Sequence, residues 1–112
     1  MPDFLIKIVS LGGGVGFQPD IPGLEAGDPL YVAPNSLVCW NNHTNDPHQV
    51  ATDDGKYTSD EILPTLSSKM DYYAPATDGE VPYHCAKHDG EIGKIIVTAV
   101  VNMAPLSTEE NQ

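Results

Sequence analysis

The sequence predicts an all-β fold, an antiparallel Greek-key β-sandwich. Short apolar stretches with alternating patterning recur along the chain, about seven or eight of them, with turn signals between. The 112 residues include ten Gly and ten Pro. That turn-rich composition favours strands joined by tight connections over a helical bundle. With 40% hydrophobic residues, a chain of this length buries one modest core, so a single domain over residues 1–112 is expected.

Phe4, Ile6 and Ile8 alternate with Leu5, Lys7 and Val9 and give a first strand. Gly12-Gly13-Gly14-Val15-Gly16 then breaks the pattern. Glycine clusters also cradle phosphates, but no Lys-Ser/Thr pair follows and no helix is signalled, so this one reads as a flexible turn. Residues 17–28 are rich in Pro, Gly and acid and read as a loop. Residues 29–32 and 37–41 are strands around the turn Ala33-Pro34-Asn35-Ser36. Val38 and Trp40 should face the core, with Leu37, Cys39 and Asn41 facing the other way. A further strand at Gln49-Val50-Ala51 ends at Asp53-Asp54-Gly55. One helical turn is expected within residues 59–66, stopped by Pro64. Residues 68–73 read as a strand with Met70 and Tyr72 on one face, and residues 81–85 and 93–101 as the last two strands. The polar tail, residues 102–112, is expected to fray.

The formal net charge is −11, with five Lys and no Arg. Such a surface repels nucleic acid and anionic lipid and favours basic partners. No apolar run approaches the roughly 18 residues of a membrane span. Met1-Pro2-Asp3 does not open like a signal peptide, so the chain is either cytoplasmic or a mature form whose export signal was removed. Cys39 and Cys85 would form one disulfide in an exported domain; if Cys85 binds metal, Cys39 is left as a free thiol.

The densest chemistry lies in Tyr83-His84-Cys85-Ala86-Lys87-His88-Asp89-Gly90-Glu91-Ile92-Gly93-Lys94. Cys85 and His88 stand three residues apart on one short loop. Upstream, Pro47 stiffens the approach to His48, which then enters a strand able to lie beside the cysteine strand. Two imidazoles and one thiolate form a trigonal set suited to mononuclear copper. A rigid sandwich that presets this geometry lowers the reorganisation needed between Cu(I) and Cu(II), which suits one-electron transfer.

These segments resemble the cupredoxins, and within them the amicyanin and plastocyanin group most closely. Val38-Cys39-Trp40 resembles a Val-x-Trp strand, and Pro47-His48-Gln49-Val50 a Pro-His-x-Val ligand segment, with the same eight-residue step from Trp40 to His48. Tyr83-His84-Cys85-x-x-His88 resembles the Tyr-His-Cys-x-x-His loop, and Gly93-Lys94 the start of the last strand. The resemblance covers roughly residues 29–101, with weaker support from Phe17-x-Pro19. It implies one type 1 copper ion held by His48, Cys85 and His88, electrons leaving at the His88 edge, and an apolar patch around that edge. Leu11, Val15, Phe17 and Pro47 are candidates for the patch. The resemblance also implies a periplasmic or extracellular location, and a redox partner with a basic docking surface, such as a c-type cytochrome or a copper enzyme. A monomer is expected.

Two positions depart from the pattern. Family loops place a methionine six residues after the cysteine and two before the Gly-Lys pair; both counts land on Glu91. Met70 and Met103 lie on other segments. A carboxylate bound axially would stabilise Cu(II), lower the reduction potential and weaken the copper–thiolate bond. Turned away, it would leave an open or water-filled position able to take a small ligand such as nitric oxide, or leave Ile92 or a backbone carbonyl nearest the metal. The second departure is Gln49, where the family often has an Asn that ties the two ligand loops; Asn42 is a further candidate for fixing the upstream loop.

His43 is an alternative ligand, disfavoured by the Pro-His-x-Val match. His84 leaves its strand on the face opposite Cys85 and reads as an outward-facing or hydrogen-bonded residue rather than a ligand; it and Tyr83 are candidates for a second electron route. Cys39 reads as a structural thiol, and Trp40, Tyr57, Tyr72 and Tyr73 as core or rim residues. A soluble electron carrier is therefore favoured over a copper enzyme or sensor of small ligands. A Cys85–His88 nucleophile–base pair is poorly placed for in-line attack and has no oxyanion element. Structural zinc takes four ligands, and only one cysteine is in place.

Overall fold

A computed structural model describes residues 2–88 and 90–99. Among these residues the regular structure is eight strands: β1 Phe4–Leu11, β2 Gly14–Pro19, β3 Leu30–Val32, β4 Leu37–Asn42, β5 Val50–Thr52, β6 Tyr72–Tyr73, β7 Gly79–Cys85 and β8 Ile92–Val97. They form two four-stranded sheets, β2-β1-β4-β6 and β3-β8-β7-β5. From β2 to β7 every connection carries the chain from one sheet to the other. The expected sandwich is the one observed, with one modification. β1 pairs β4 and β3 pairs β8 in parallel. A chain that crosses to the other sheet and returns can re-enter in the same direction, which a tight hairpin forbids.

The period-2 patterning explains the core. Ile6, Ile8, Phe17, Val38, Trp40 and Tyr72 come from one sheet, and Leu30, Val32, Val50, Val81, Tyr83, Cys85, Ile95 and Val97 from the other; all are buried. Each fully buried aliphatic contributes about 1.5–3 kcal/mol of transfer free energy. Trp40 sits between the layers, edge-on to Tyr83 at 5.2 Å and stacked on Tyr57 at 5.8 Å. The expected turn at residues 33–36 is present. Asn35 takes a positive φ of 66°, which Asn tolerates, and the Ser36 hydroxyl donates to the Ala33 carbonyl at 2.7 Å.

Four expectations change. Only Gly12-Gly13 form the turn after β1, because residues 14–19 pair antiparallel with it as β2. Phe17 thereby joins the core rather than a surface patch. Residues 59–66 form no helical turn; Ile62 bridges His48, and residues 63–66 make a tight turn in which Leu66 N–H donates to the Leu63 carbonyl at 3.0 Å and Thr65 takes a positive φ of 69°. Pro64 and its neighbours cannot complete helical hydrogen bonds, and the pairing with His48 replaces them. The strand expected at 68–73 is reduced to Tyr72–Tyr73, and Met70 lies exposed before it. Cys39 does point away from the sheet interior, yet it is buried, with the Ser68 hydroxyl 3.6 Å from its sulfur. The end of the last expected strand and the tail at 102–112 lie outside the described residues.

One glycine is sterically required. Gly93 pairs with Tyr83 across β7 and β8, and a Cβ there would collide with Cζ and Oη of the tyrosine ring. The Gly-Lys step therefore lets an aromatic side chain lie across the base of the cysteine loop.

Candidate metal centre

Cys85 is the last residue of β7 and is 3% exposed. Its backbone N–H donates to the Glu91 carbonyl at 2.9 Å, which closes the loop from 85 to 91. The next N–H, of Ala86, donates to the Gln49 carbonyl at 2.6 Å and ties this loop to the residue after His48. His48 is fixed from its other side. Its N–H donates to the Ile62 carbonyl at 3.0 Å, and its own carbonyl accepts from Ile62 N–H at 2.7 Å. The segment that replaces the expected helical turn is thus the backbone support of His48.

The four side chains converge. Cys85 Sγ lies 3.5 Å from His48 Nδ1 and 3.5 Å from His88 Nδ1. Glu91 Oε1 lies 3.3 Å from His48 Nδ1 and 3.5 Å from His88 Nδ1. All four donor atoms fall within 4.8 Å of one another. His48 is 1% exposed, Glu91 13% and His88 44%. Burial pushes His48 below the usual imidazole range and the nearby His88 pushes the same way, while the Glu91 carboxylate opposes both. A neutral imidazole is the form that ligates metal.

Donor spacing tests the set against a metal ion. Four ligands in tetrahedral array, with sulfur at about 2.3 Å and nitrogen and oxygen at about 2.0–2.2 Å, hold neighbouring donors about 3.3–3.7 Å apart. Four of the six separations here are 3.3–3.5 Å, and the other two stay within 4.8 Å. Glu91 Oε1 is also buried with no hydrogen-bond partner among the described residues. A carboxylate oxygen buried in that state is costly unless a cation or donor compensates it. The set therefore fits one ion.

The remaining candidates divide clearly. Asn42 is fully buried, and its Nδ2 donates to the carbonyls of Asp46 at 2.7 Å and Ile62 at 2.9 Å. Pro47 is half-buried directly before His48. Gln49 joins the ligand loops through its backbone, while its side chain donates away from them, to the Ser59 carbonyl at 2.9 Å. His43 is exposed and outside the cluster. His84 also lies outside it, with Nδ1 2.6 Å from Asp53 Oδ1. Both cysteines are free. Of the patch candidates, Leu11 is 49% exposed. Thr44 was not among the sequence candidates, yet its Oγ1 lies 2.9 Å from His48 Nε2. Its spacing four before His48, beside an Asn able to cap it, is the signal that could have found it.

No protein-family model matches the chain, and no curated protein matches it by sequence. Solved structures do match. An oxidized amicyanin with lysine in place of a methionine gives a TM-score of 0.58 at 20% identity, covering 84% of this chain and 80% of that one. An amicyanin in the Cu(I) form, with alanine at that methionine, gives 0.56 at 20% identity over the same shares. A purple cupredoxin from Nitrosopumilus maritimus gives 0.62 at 20% identity, covering 86% of this chain and 100% of that one. With these likenesses and its two stacked, mixed sheets, the chain has the cupredoxin fold.

Proposed function

We propose that this chain is a mononuclear copper protein that carries single electrons, with His48, Cys85, His88 and Glu91 as its ligands. The observation that carries the proposal is Glu91 Oε1, a buried carboxylate oxygen with no hydrogen bond of good geometry among the described residues, 3.3 and 3.5 Å from two imidazole nitrogens beside a cysteine. Copper bound there supplies one-electron exchange between Cu(I) and Cu(II). Cys85 contributes a soft thiolate and is held in place by the Glu91 carbonyl and the Gln49–Ala86 bond. His48 anchors the buried side. His88 reaches the surface and offers the exit for an electron. Glu91 adds a hard anionic donor, which favours Cu(II) and lowers the reduction potential relative to a thioether.

Glu91→Gln keeps the shape and removes the charge. The expected result is a shifted thiolate-to-copper absorption band and a raised reduction potential. An unchanged spectrum and potential would remove Glu91 from the ligand set. A colourless Cu(II)-loaded protein would overturn the copper–thiolate centre itself. The second reading, nitric oxide or another small molecule at an open position, has less support because a Glu91 oxygen already converges with the other three donor atoms. Net charge −11 supports a partner with a basic docking surface, of the c-type cytochrome or copper-enzyme kind. A periplasmic or extracellular location belongs to the same proposal; fractionation of the host cell tests it.

A further inference from the structure

Asn42 donates both its N–H groups to groups that can only accept, the carbonyls of Asp46 and Ile62. This fixes the amide orientation. Oδ1 therefore faces Thr44, and it accepts the Thr44 backbone N–H at 2.8 Å. The Thr44 hydroxyl carries one proton. Three acceptors lie within its reach, Asn42 Oδ1 at 2.7 Å, His48 Nε2 (when unprotonated) at 2.9 Å and the Asp46 carbonyl at 3.0 Å, and the amide oxygen is the nearest. A hydroxyl that gives its proton to Asn42 Oδ1 turns a lone pair toward His48 Nε2, 2.9 Å away. In that order Nε2 carries the ring proton and Nδ1, which faces the centre, is bare.

From this proton order we infer that Asn42 and Thr44 form a positioning relay: it selects the His48 tautomer in the metal-free protein and so sets how readily the centre captures metal. The relay works against a competitor. Glu91 Oε1, 3.3 Å from Nδ1, pulls the proton toward the other ring nitrogen, against the shorter 2.9 Å contact of Nε2 with Thr44 Oγ1. Asn42, Thr44 and His48 are 0%, 6% and 1% exposed, so water cannot replace a lost member. Partners on the distal nitrogen of a ligating histidine hold ring orientation and tautomer, and their loss weakens metal binding by about 10- to 100-fold. The inference rests on the metal-centre proposal for its affinity consequence only; the tautomer is a property of the metal-free chain.

The test compares wild type with Thr44→Val, which removes the hydroxyl at nearly constant shape, and Thr44→Ser, which keeps it. Nitrogen-15 NMR of the metal-free protein reads the His48 ring. Wild type and Thr44→Ser should show the proton on Nε2, and Thr44→Val a population with the proton on Nδ1. Competition titrations with Cu(II) and with Zn(II) should show Thr44→Val weaker by about 10- to 100-fold and Thr44→Ser close to wild type. Wild-type His48 protonated on Nδ1, or Thr44→Val unchanged in both tautomer and affinity, would overturn the relay. Should Thr44→Val fail to fold by circular dichroism, the wild-type tautomer and Thr44→Ala still decide. A wild-type chain that binds neither metal would overturn the metal-centre proposal, while the NMR result would still judge the relay.

Discussion

His48 and His88 each bring Nδ1 to 3.5 Å from the Cys85 sulfur, yet one ring is 1% exposed and the other 44%. Their centroids are only 5.1 Å apart, inclined at 55°. The difference follows from where each residue sits. His48 lies between β4 and β5, bridged to Ile62 and backed by Asn42 and Thr44. His88 lies on the loop between β7 and β8, whose base is fastened by Cys85 N–H to the Glu91 carbonyl. One imidazole is part of the scaffold and the other is part of the surface. The cluster is thus fastened on one side by backbone and side-chain hydrogen bonds and presented to solvent on the other.

The strongest challenge to that contrast is Asn42→Ala. It leaves the buried Thr44 N–H without its acceptor and takes from the Asp46 and Ile62 carbonyls one of the two donors each has. The expected cost is about 3–5 kcal/mol in the metal-free protein, because one buried N–H is orphaned and two further hydrogen bonds are lost with it. Chemical denaturation measures it. A cost under about 1 kcal/mol would mean that the His48 side is no more locked than an ordinary loop.

Gly93→Ala tests the base of the exposed loop. The new methyl meets the Tyr83 ring, so tyrosine or β8 must shift, at about 1–3 kcal/mol. In a Tyr83→Leu background the collision is gone, and the same substitution should become neutral or stabilising, as Gly in a strand is otherwise a weakness. A double-mutant cycle in denaturant reads the coupling. Additive effects would detach the loop from this packing.

The distribution of what was legible in the sequence follows the same contrast. Cys85, His88 and Glu91 share a short loop, so spacing alone places them near one another. His48 and Trp40 were legible through segment patterns, because alternation carries the core and Pro47 marks the entry to the ligand. Thr44 was missed because a hydroxyl four residues before a histidine is common, and its meaning depends on the Asn42 amide being oriented by Ile62, 20 residues on. β2 was missed because Gly14 and Gly16 argue locally against a strand, and only the pairing with β1 overrides that preference. The 59–66 segment was misread because the pairing of Ile62 with His48 is a tertiary bond that no local pattern contains. Local chemistry was readable, then, and the hydrogen bonds that fasten it from a distance were not.

The smallest stability effect belongs to His88→Gly, and it is the most discriminating test of the two sides. A ring 44% exposed on a loop contributes little packing, so the metal-free variant should lie within about 0.5 kcal/mol of wild type. Removal opens a ring-sized gap that solvent can enter. Imidazole added to the Cu(II)-loaded variant should occupy it and restore a spectrum close to wild type. His48→Gly should not be rescued, since its gap is enclosed by Thr44, Ile62 and the cysteine loop and has no path to solvent. Rescue of both variants would show that the buried side opens as readily as the exposed one, and the division between scaffold ligand and surface ligand would fall. Rescue of His88→Gly alone would place solvent access, and with it the route for an electron, on the loop side of the centre.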